Sequence, residues 1–325
     1  MVVGKELIIE ILKLLIIPGI FFLFTLALFY QWLDRRFLAR LQNRRGPMHT
    51  APYGMLQPLA DFIKLLAKED IEPEAVDKAV FRGVPILLST ISITALFLIP
   101  IWGVKAFVHF EGDLIFMTFL MVLIAILAFL GGWSSTNRFS TIGGLRAAMQ
   151  TLGYEVPLSL AFIGPAIVAK SLSISKIVEW QASTGIWAII LNPLGFGIAI
   201  IALLAELEKV PFDIPEAETE LVAGWQTEFS GRKLALLRFA FDLELVLAAG
   251  LITSLFLGGP AGPFYDIPWV GVIWFFIKTT IVVLILSNLR GLFARFRIDQ
   301  MVSGCWKYLV PLAIIQIIFL QLVLG

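Results

Sequence analysis

Eight stretches of about twenty residues run almost without charge, at 14–32, 81–102, 114–133, 156–175, 186–205, 234–257, 268–289 and 305–324. At ~1.5 Å per residue, each is long enough as a helix to cross a hydrocarbon core of ~30 Å. Lipid offers no partners to backbone N–H and C=O groups, so only helices and closed barrels can span it, and these runs lack the alternation of barrel strands. The expected fold is therefore all-α: a polytopic integral membrane protein of eight transmembrane helices, forming one membrane domain over residues 1–325. Composition agrees, with 59% hydrophobic and 15% charged residues and a mean hydropathy of +0.90. The first run is longer than the core of a signal peptide. It is followed by Trp32-Leu33-Asp34-Arg35-Arg36 rather than a small-residue cleavage site, so it reads as a permanent span.

Lysine and arginine set the expected orientation. The connections 33–80, 134–155, 206–233 and 290–304 carry sixteen of them, against two in 103–113, 176–185 and 258–267. By the positive-inside rule the first group faces the cytoplasm and both termini lie outside a multi-pass plasma-membrane protein. Lys5 and Lys13 oppose this assignment, but Glu6 and Glu10 accompany them. Within 33–80, Leu56, Leu59, Phe62, Ile63 and Leu66 recur at helical spacing among Asp61, Lys64 and Lys68, as in an amphipathic helix lying along the interface. Arg35, Arg36, Arg40, Arg44 and Arg45 nearby suit either anionic lipid headgroups or an acidic soluble partner.

Much chemistry is excluded. With one cysteine (Cys305), two histidines (His49 and His109) and no CxxC pair, the chain cannot by itself build an iron–sulfur, haem or zinc site. Gly143-Gly144 lacks the Lys-Ser/Thr of a phosphate-binding loop, and no GxSxG elbow frames a serine. What remains is charge at membrane depth. Arg238, Asp242 and Glu244 fall inside the sixth run and Lys278 inside the seventh, where each costs at least ~2.5 kcal/mol unless it faces a bundle interior or wet cavity. Arg238 and Asp242, four apart, suit an ion pair that either locks packing or serves a proton relay.

The segment AELEKVPFDIPEAETE sets Glu206, Glu208, Asp213, Glu216, Glu218 and Glu220 directly after nineteen uncharged residues. Pro215 suits the first turn of a new helix ending near Gly224, on which Glu216 and Glu220 share a face. The acids either cap and solubilise that helix or, by raising one another's affinity for protons, hold and pass them near neutral pH.

The motifs DRRFLARLQNRRGP with YGMLQPLADFIKLLAKED, NRFSTIGGLRAAMQTLGYEV, VPFDIPEAETELVAGWQTEFSG and RGLFARFRIDQMVSGCWKYLVP resemble, in order and over residues 34–312, the complex I membrane component known as the 1 or H subunit. That resemblance implies a coupling subunit without its own cofactor. Iron–sulfur clusters, and in some complexes a nickel–iron centre, would lie in peripheral partners on the cytoplasmic face, with antiporter-like pumping subunits in the membrane and no nucleic acid. It implies that Asp213, Glu216, Glu218 and Glu220 open a hydrophilic path continued by Glu155. It also implies that Arg35, Arg36, Arg40, Arg45, Asp61, Lys64 and Lys68 shape a quinone-facing chamber and contact the peripheral arm, as do Arg290, Arg295, Arg297, Asp299 and Gln300 of the last motif. Glu208-Lys209 stands where quinone-reducing members read Asn-Arg, and the first loop opens Asp-Arg-Arg rather than Glu-Arg-Lys. These departures lean toward membrane-bound nickel–iron hydrogenases and sulfane reductases, with four asparagines and one cysteine hinting at a thermophilic archaeal source. The alternative is the chamber subunit of an NADH- or deazaflavin-type quinone oxidoreductase; a stand-alone secondary transporter is the more distant reading.

Overall fold

The computed structural model describes residues 15–16, 19–265 and 267–324, leaving aside the side chains at 218, 268 and 324. The principal helices are α1 Ile20–Leu41, α2 Gln57–Ala67, α3 Lys78–Leu96, α4 Asp113–Ser134, α5 Arg138–Ala169, α6 Ile174–Thr184, α7 Pro193–Glu206, α8 Gly231–Phe256 and α9 Pro268–Leu292, followed by α10 Ile298–Val323. No strand occurs among the described residues. Lys5, Glu6, Glu10, Lys13 and the start of the first expected span lie outside them.

Six helices, namely α3, α4, α5, α8, α9 and α10, are long and apolar enough to cross a membrane. Two of the eight expected runs fall outside that set among the described residues. α1 has 22 residues but carries Asp34, Arg35 and Arg36 in its second half. The run 186–205 is broken: Ala188–Leu191 and α7 are separated at Asn192, whose carboxamide caps α7 by accepting from Gly195 N at 2.9 Å, with Pro193 opening the new helix. The 14 residues of α7 extend only ~21 Å.

Local chemistry sets the other boundaries. Asp77 caps α3 by accepting from Ala79 N at 3.2 Å, and Asn137 caps α5 by accepting from Phe139 N at 2.9 Å. α5 stops where Lys170 turns left-handed, at φ 50, and α10 contains a π-helical stretch at Cys305–Leu309. α8 is the axis of the bundle, 83% buried over its apolar window against 17% for α10.

The connections rich in Lys and Arg gather at one end. Asp77 N donates to Ser134 O at 3.1 Å and Phe296 N to Pro211 O at 2.9 Å. Thr136 Oγ1 reaches Ala75 O at 3.1 Å. The sparsely charged connections meet at the opposite end, where Ala106 N bonds Ser175 Oγ at 3.0 Å and Leu114 N bonds Leu172 O at 3.2 Å. The amphipathic α2 packs Phe62 against Phe24 and Phe239 while Leu56, Ile63 and Leu66 stay exposed. One face therefore joins the bundle and another is left to its surroundings.

Candidate functional site

After α7 the chain folds back into the basic end of the bundle instead of leaving it. Gln150 on α5 donates to Ala205 O at 2.6 Å and to Phe212 O at 2.9 Å, pinning both sides of the turn. Phe212, Ile214, Ala217, Leu221 and Trp225 are buried and supply its apolar anchor. Two glycines allow the close fit. A Cβ at Gly143 would lie 2.5 Å from Trp225 N, and one at Gly224, where φ is +56, would run into Pro215 O. The Ile-Gly-Gly motif of α5 is thus the seat of the acidic loop.

The short helix differs from expectation. It covers only Glu218–Leu221, followed by a 3₁₀ turn at Gly224–Gln226. Glu216 precedes it and points inward, accepting a hydrogen bond from Gln226 Nε2. Glu220 is exposed, accepting from Arg146 Nη1 at 2.7 Å with Arg295 at 3.9 Å. The two glutamates therefore do not share a helix face, because the turn unwinds before a second helical turn forms. The side chain of Glu218 lies outside the described set.

The inward acids are joined by the central helix. Glu206, Glu208 and Glu244 line one small cavity with Tyr154, Gln150 and Trp225. Glu206 Oε2 and Glu244 Oε1 are buried without a hydrogen-bond partner among the described residues. Glu208 accepts from Trp225 Nε1 at 3.4 Å. Burial, then the negative charges of Glu216 and Asp213, push the Glu208 carboxyl up to about 8. Burial likewise raises Glu216, with Arg238 opposing it. Glu220 is held low by its bond to Arg146. Glu155, half-buried on α5, accepts from Ser159 Oγ at 3.3 Å, and its charge acts on Glu206. The resulting order is Glu216, Glu208, Glu244, Glu206, Glu155, with Asp213 interacting at the first two. Like-charged groups that interact in this way have coupled titrations.

A second space opens beside it. Arg35, Asp61, Lys64, Arg238 and Asp242 line a cleft of about 650 Å³ between α1, α2 and α8. Arg35 Nη1 donates to Asp61 Oδ2 at 2.7 Å, with Gln57 on Oδ1 at 3.0 Å and Lys64 at 3.8 Å. Burial works to raise Asp61, but the Arg35 and Gln57 bonds outweigh it and keep the carboxyl low. Leu28 also lines an apolar groove of about 1120 Å³ bounded by Phe21, Phe29, Met55, Leu59 and Phe276. Polar cleft and apolar groove thus adjoin.

The other expected residues separate into groups. Arg36 lies over Trp32 at 5.3 Å and Tyr53 at 4.6 Å. Arg40, Arg45 and Lys68 are exposed. Arg295, Arg297 and Asp299 line a third cavity with Arg146 and Glu220. Arg238 and Asp242 share the cleft wall without closing the expected ion pair. Lys278 does not join the acids. It donates to the carbonyls of Leu257, Gly259 and Ala261 at 2.6, 3.0 and 2.5 Å, at the opposite end.

Two networks escape sequence reasoning. Buried Asp34 receives Ser287 Oγ at 2.6 Å, Arg290 Nη1 at 2.7 Å and Lys209 Nζ at 3.3 Å, tying α1 to α9 and the acidic loop. Buried Lys233 bonds Asp70 and Glu72, each at 2.7 Å, and Arg82 completes the group at 2.7 Å from Glu72. The Arg82 and Lys233 bonds hold Glu72 down to about 2. An aspartate just past an apolar run, beside Arg35 and Arg36, was the available signal for the first; nothing local marks the second.

Against known proteins, residues 12–321 match the NADH dehydrogenase family. The chain is 37% identical over 316 residues to the second NADH-quinone oxidoreductase H subunit of Syntrophobacter fumaroxidans, covering 94% of this chain and 93% of that protein. It is 38% identical over 312 residues to the NADH-quinone oxidoreductase H subunit of Thermomicrobium roseum, covering 91% and 90%. It is 39% identical over 307 residues to the corresponding H subunit of Protochlamydia amoebophila, covering 91% and 92%.

Proposed function

The chain belongs to the NADH dehydrogenase family of membrane subunits, and from that premise we propose that it forms the quinone-facing chamber of a multi-subunit NADH-quinone oxidoreductase. The observation that carries this reading is the meeting of an apolar groove, whose aromatic and aliphatic lining suits an isoprenoid chain, with a charged cleft that suits a polar headgroup. The hydrogenase or sulfane reductase reading draws no support from these relatives, whose names specify quinone, and the three named are bacterial rather than archaeal. Glu208-Lys209 in place of Asn-Arg is then a variation within quinone-reducing members.

In this role the row from Glu216 to Glu155 carries the consequence of electron transfer away from the cleft, as proton movement or as field, toward pumping subunits in the same membrane. The electron carriers reside in peripheral partners docked on the basic end, which faces the cytoplasm of a bacterial cell. Replacing Arg40 and Arg45 with Glu then releases the soluble arm in detergent.

A photoreactive quinone analogue applied to the purified complex tests the chamber. Labelled peptides are expected from α1 and α2, competed by unlabelled quinone. Label confined to other subunits would overturn the reading.

A further inference from the structure

The apolar groove and the charged cleft are joined along one wall. On α1, Leu28, Gln31 and Arg35 follow at intervals of three and four residues, which sets them on one helix face. Leu28 lines both spaces, and Gln31 and Arg35 line the cleft beyond it. Three rings continue the joint. Phe24 of the groove lies 5.7 Å from Phe62 and 5.3 Å from Phe239, both of which line the cleft. Past Leu28, the first side chain that α1 offers the cleft is Gln31.

Gln31 differs from the other polar residues there. Arg35, Asp61, Lys64, Arg238 and Asp242 are ionisable, and Gln31 is the one neutral polar side chain among the described residues lining the cleft. Arg35 engages Asp61 Oδ2 at 2.7 Å, and Gln57 and Lys64 engage Oδ1 at 3.0 and 3.8 Å. Gln31 has no such engagement. Its Oε1 is buried, and its amide makes no hydrogen bond among the described residues. A buried carboxamide without a partner costs free energy that a leucine at the same place on this apolar helix would not. The position of Gln31, where the apolar space meets the charged one, gives that cost a use.

We infer that Gln31 is the hydrogen-bonding contact for the headgroup of a quinone whose isoprenoid tail lies in the groove, an assignment that rests on the chamber reading. The suitability of an amide follows from the chemistry of that headgroup. Quinone oxygens only accept hydrogen bonds, whereas the hydroxyls of the reduced form also donate. Arginine and lysine can only donate, and an ionised aspartate can only accept. A carboxamide holds either form. It presents Nε2 to the carbonyl or, after a half-turn of its terminal torsion, Oε1 to the hydroxyl. Gln31 thereby distinguishes an oxygen-bearing ring from an acyl chain, which would suit the groove but leave the amide unpartnered.

The test uses the whole purified complex, imaged by electron cryo-microscopy with a short-tailed quinone, and its kinetics with short- and long-tailed acceptors. A ring oxygen is expected about 3 Å from the Gln31 amide. Gln31→Met keeps the length of the side chain and removes both hydrogen-bonding ends. It should raise KM about five- to tenfold, equally for both tail lengths, with kcat within about twofold of the unmodified complex. A ring bound in the groove and cleft but out of reach of Gln31, with only water on the amide, overturns the assignment and leaves the chamber reading standing. So does a KM unchanged in Gln31→Met, or one raised for the long tail alone, which would mark the residue as packing for the tail. A quinone bound in neither space sinks both readings. Gln31→Leu gives the same discrimination if Met is not tolerated.

Discussion

The sparsely charged end and the row of buried acids treat buried charge in opposite ways. At the sparsely charged end, Asp113 accepts from Ile174 N at 2.6 Å and from Ser173 Oγ at 3.0 Å, starting α6. There, too, Lys278 fills its donors with three carbonyls at the close of α8, where the helix dipole favours a cation. In the row of acids, Glu206 and Glu244 keep carboxylate oxygens with no hydrogen-bond partner among the described residues. A saturated charge is held in one place, since any movement breaks several bonds at once. An unsaturated one is costly to keep and easy to alter. The first arrangement builds a scaffold; the second is a store of free energy that a proton or a nearby charge can release.

The contrast can be broken most forcefully at Lys278. Lys278→Met leaves three carbonyls short of a donor, and a loss of about 3 kcal/mol is expected, read as a lower midpoint of thermal unfolding of the purified complex. An unchanged midpoint would show that the saturated end is no scaffold. The reverse is expected for Glu244→Gln and Glu206→Gln. Each removes an uncompensated buried carboxylate, so stability should hold or rise by about 1 kcal/mol, while the ion-to-electron ratio in sealed vesicles falls. Variants that lose stability and keep the ratio would erase the distinction between the two regions.

Glu208 gives a smaller, pH-dependent effect. Its carboxyl is raised from 4.5 to about 8 in the folded chain. Between those values the unfolded chain has released a proton that the folded chain still holds. Raising the pH therefore costs folded-state stability, progressively from 4.5 and fully above 8. Glu208→Gln should match the unmodified complex near pH 4 and become the more stable of the two by pH 9, as thermal midpoints across that range would report. Equal midpoints throughout would show that Glu208 does not hold this proton. The smallest effect belongs to the exposed contact between Lys176 and Glu111. Lys176→Ala should leave the midpoint unchanged, because surface pairs contribute little against water and salt. A clear fall there would show that even exposed charges at this end are structural.

The apolar runs announced the long helices because membrane helices declare themselves by length and lack of charge. The clustering of basic connections at one end was legible for the same reason. The break at Asn192 was harder to see, since a single Asn-Pro step barely dents the hydropathy of its neighbourhood, although Pro193 was a local cue. Spacing rules misled at Glu216 and Glu220. They presume a continuous helix, and the turn there is set by burial of Ile214, Ala217 and Leu221 rather than by propensity. Spacing also placed Arg238 and Asp242 correctly on one face but could not show that the pair stays open. Asp34 with Arg290, and Lys233 with Asp70, join residues 256 and 163 positions apart, beyond any local pattern.

The length of α5 and the place of its first proline have a mechanical consequence. Pro157 withholds the backbone donor that would bind the preceding turn, so the helix is weakened there. The 19 residues from Arg138 to Val156 form a stiff rod of roughly 28 Å, and a swing of about 10° about Pro157 moves its far end by ~5 Å. Gln150, which grips the acidic loop, would travel ~2 Å and Glu155, beside the pivot, only ~0.5 Å. A push from a docked partner near Asn137 would thus be geared down along the rod. It would shift the loop by about the length of a bond or two while leaving the final carboxylate nearly where it was.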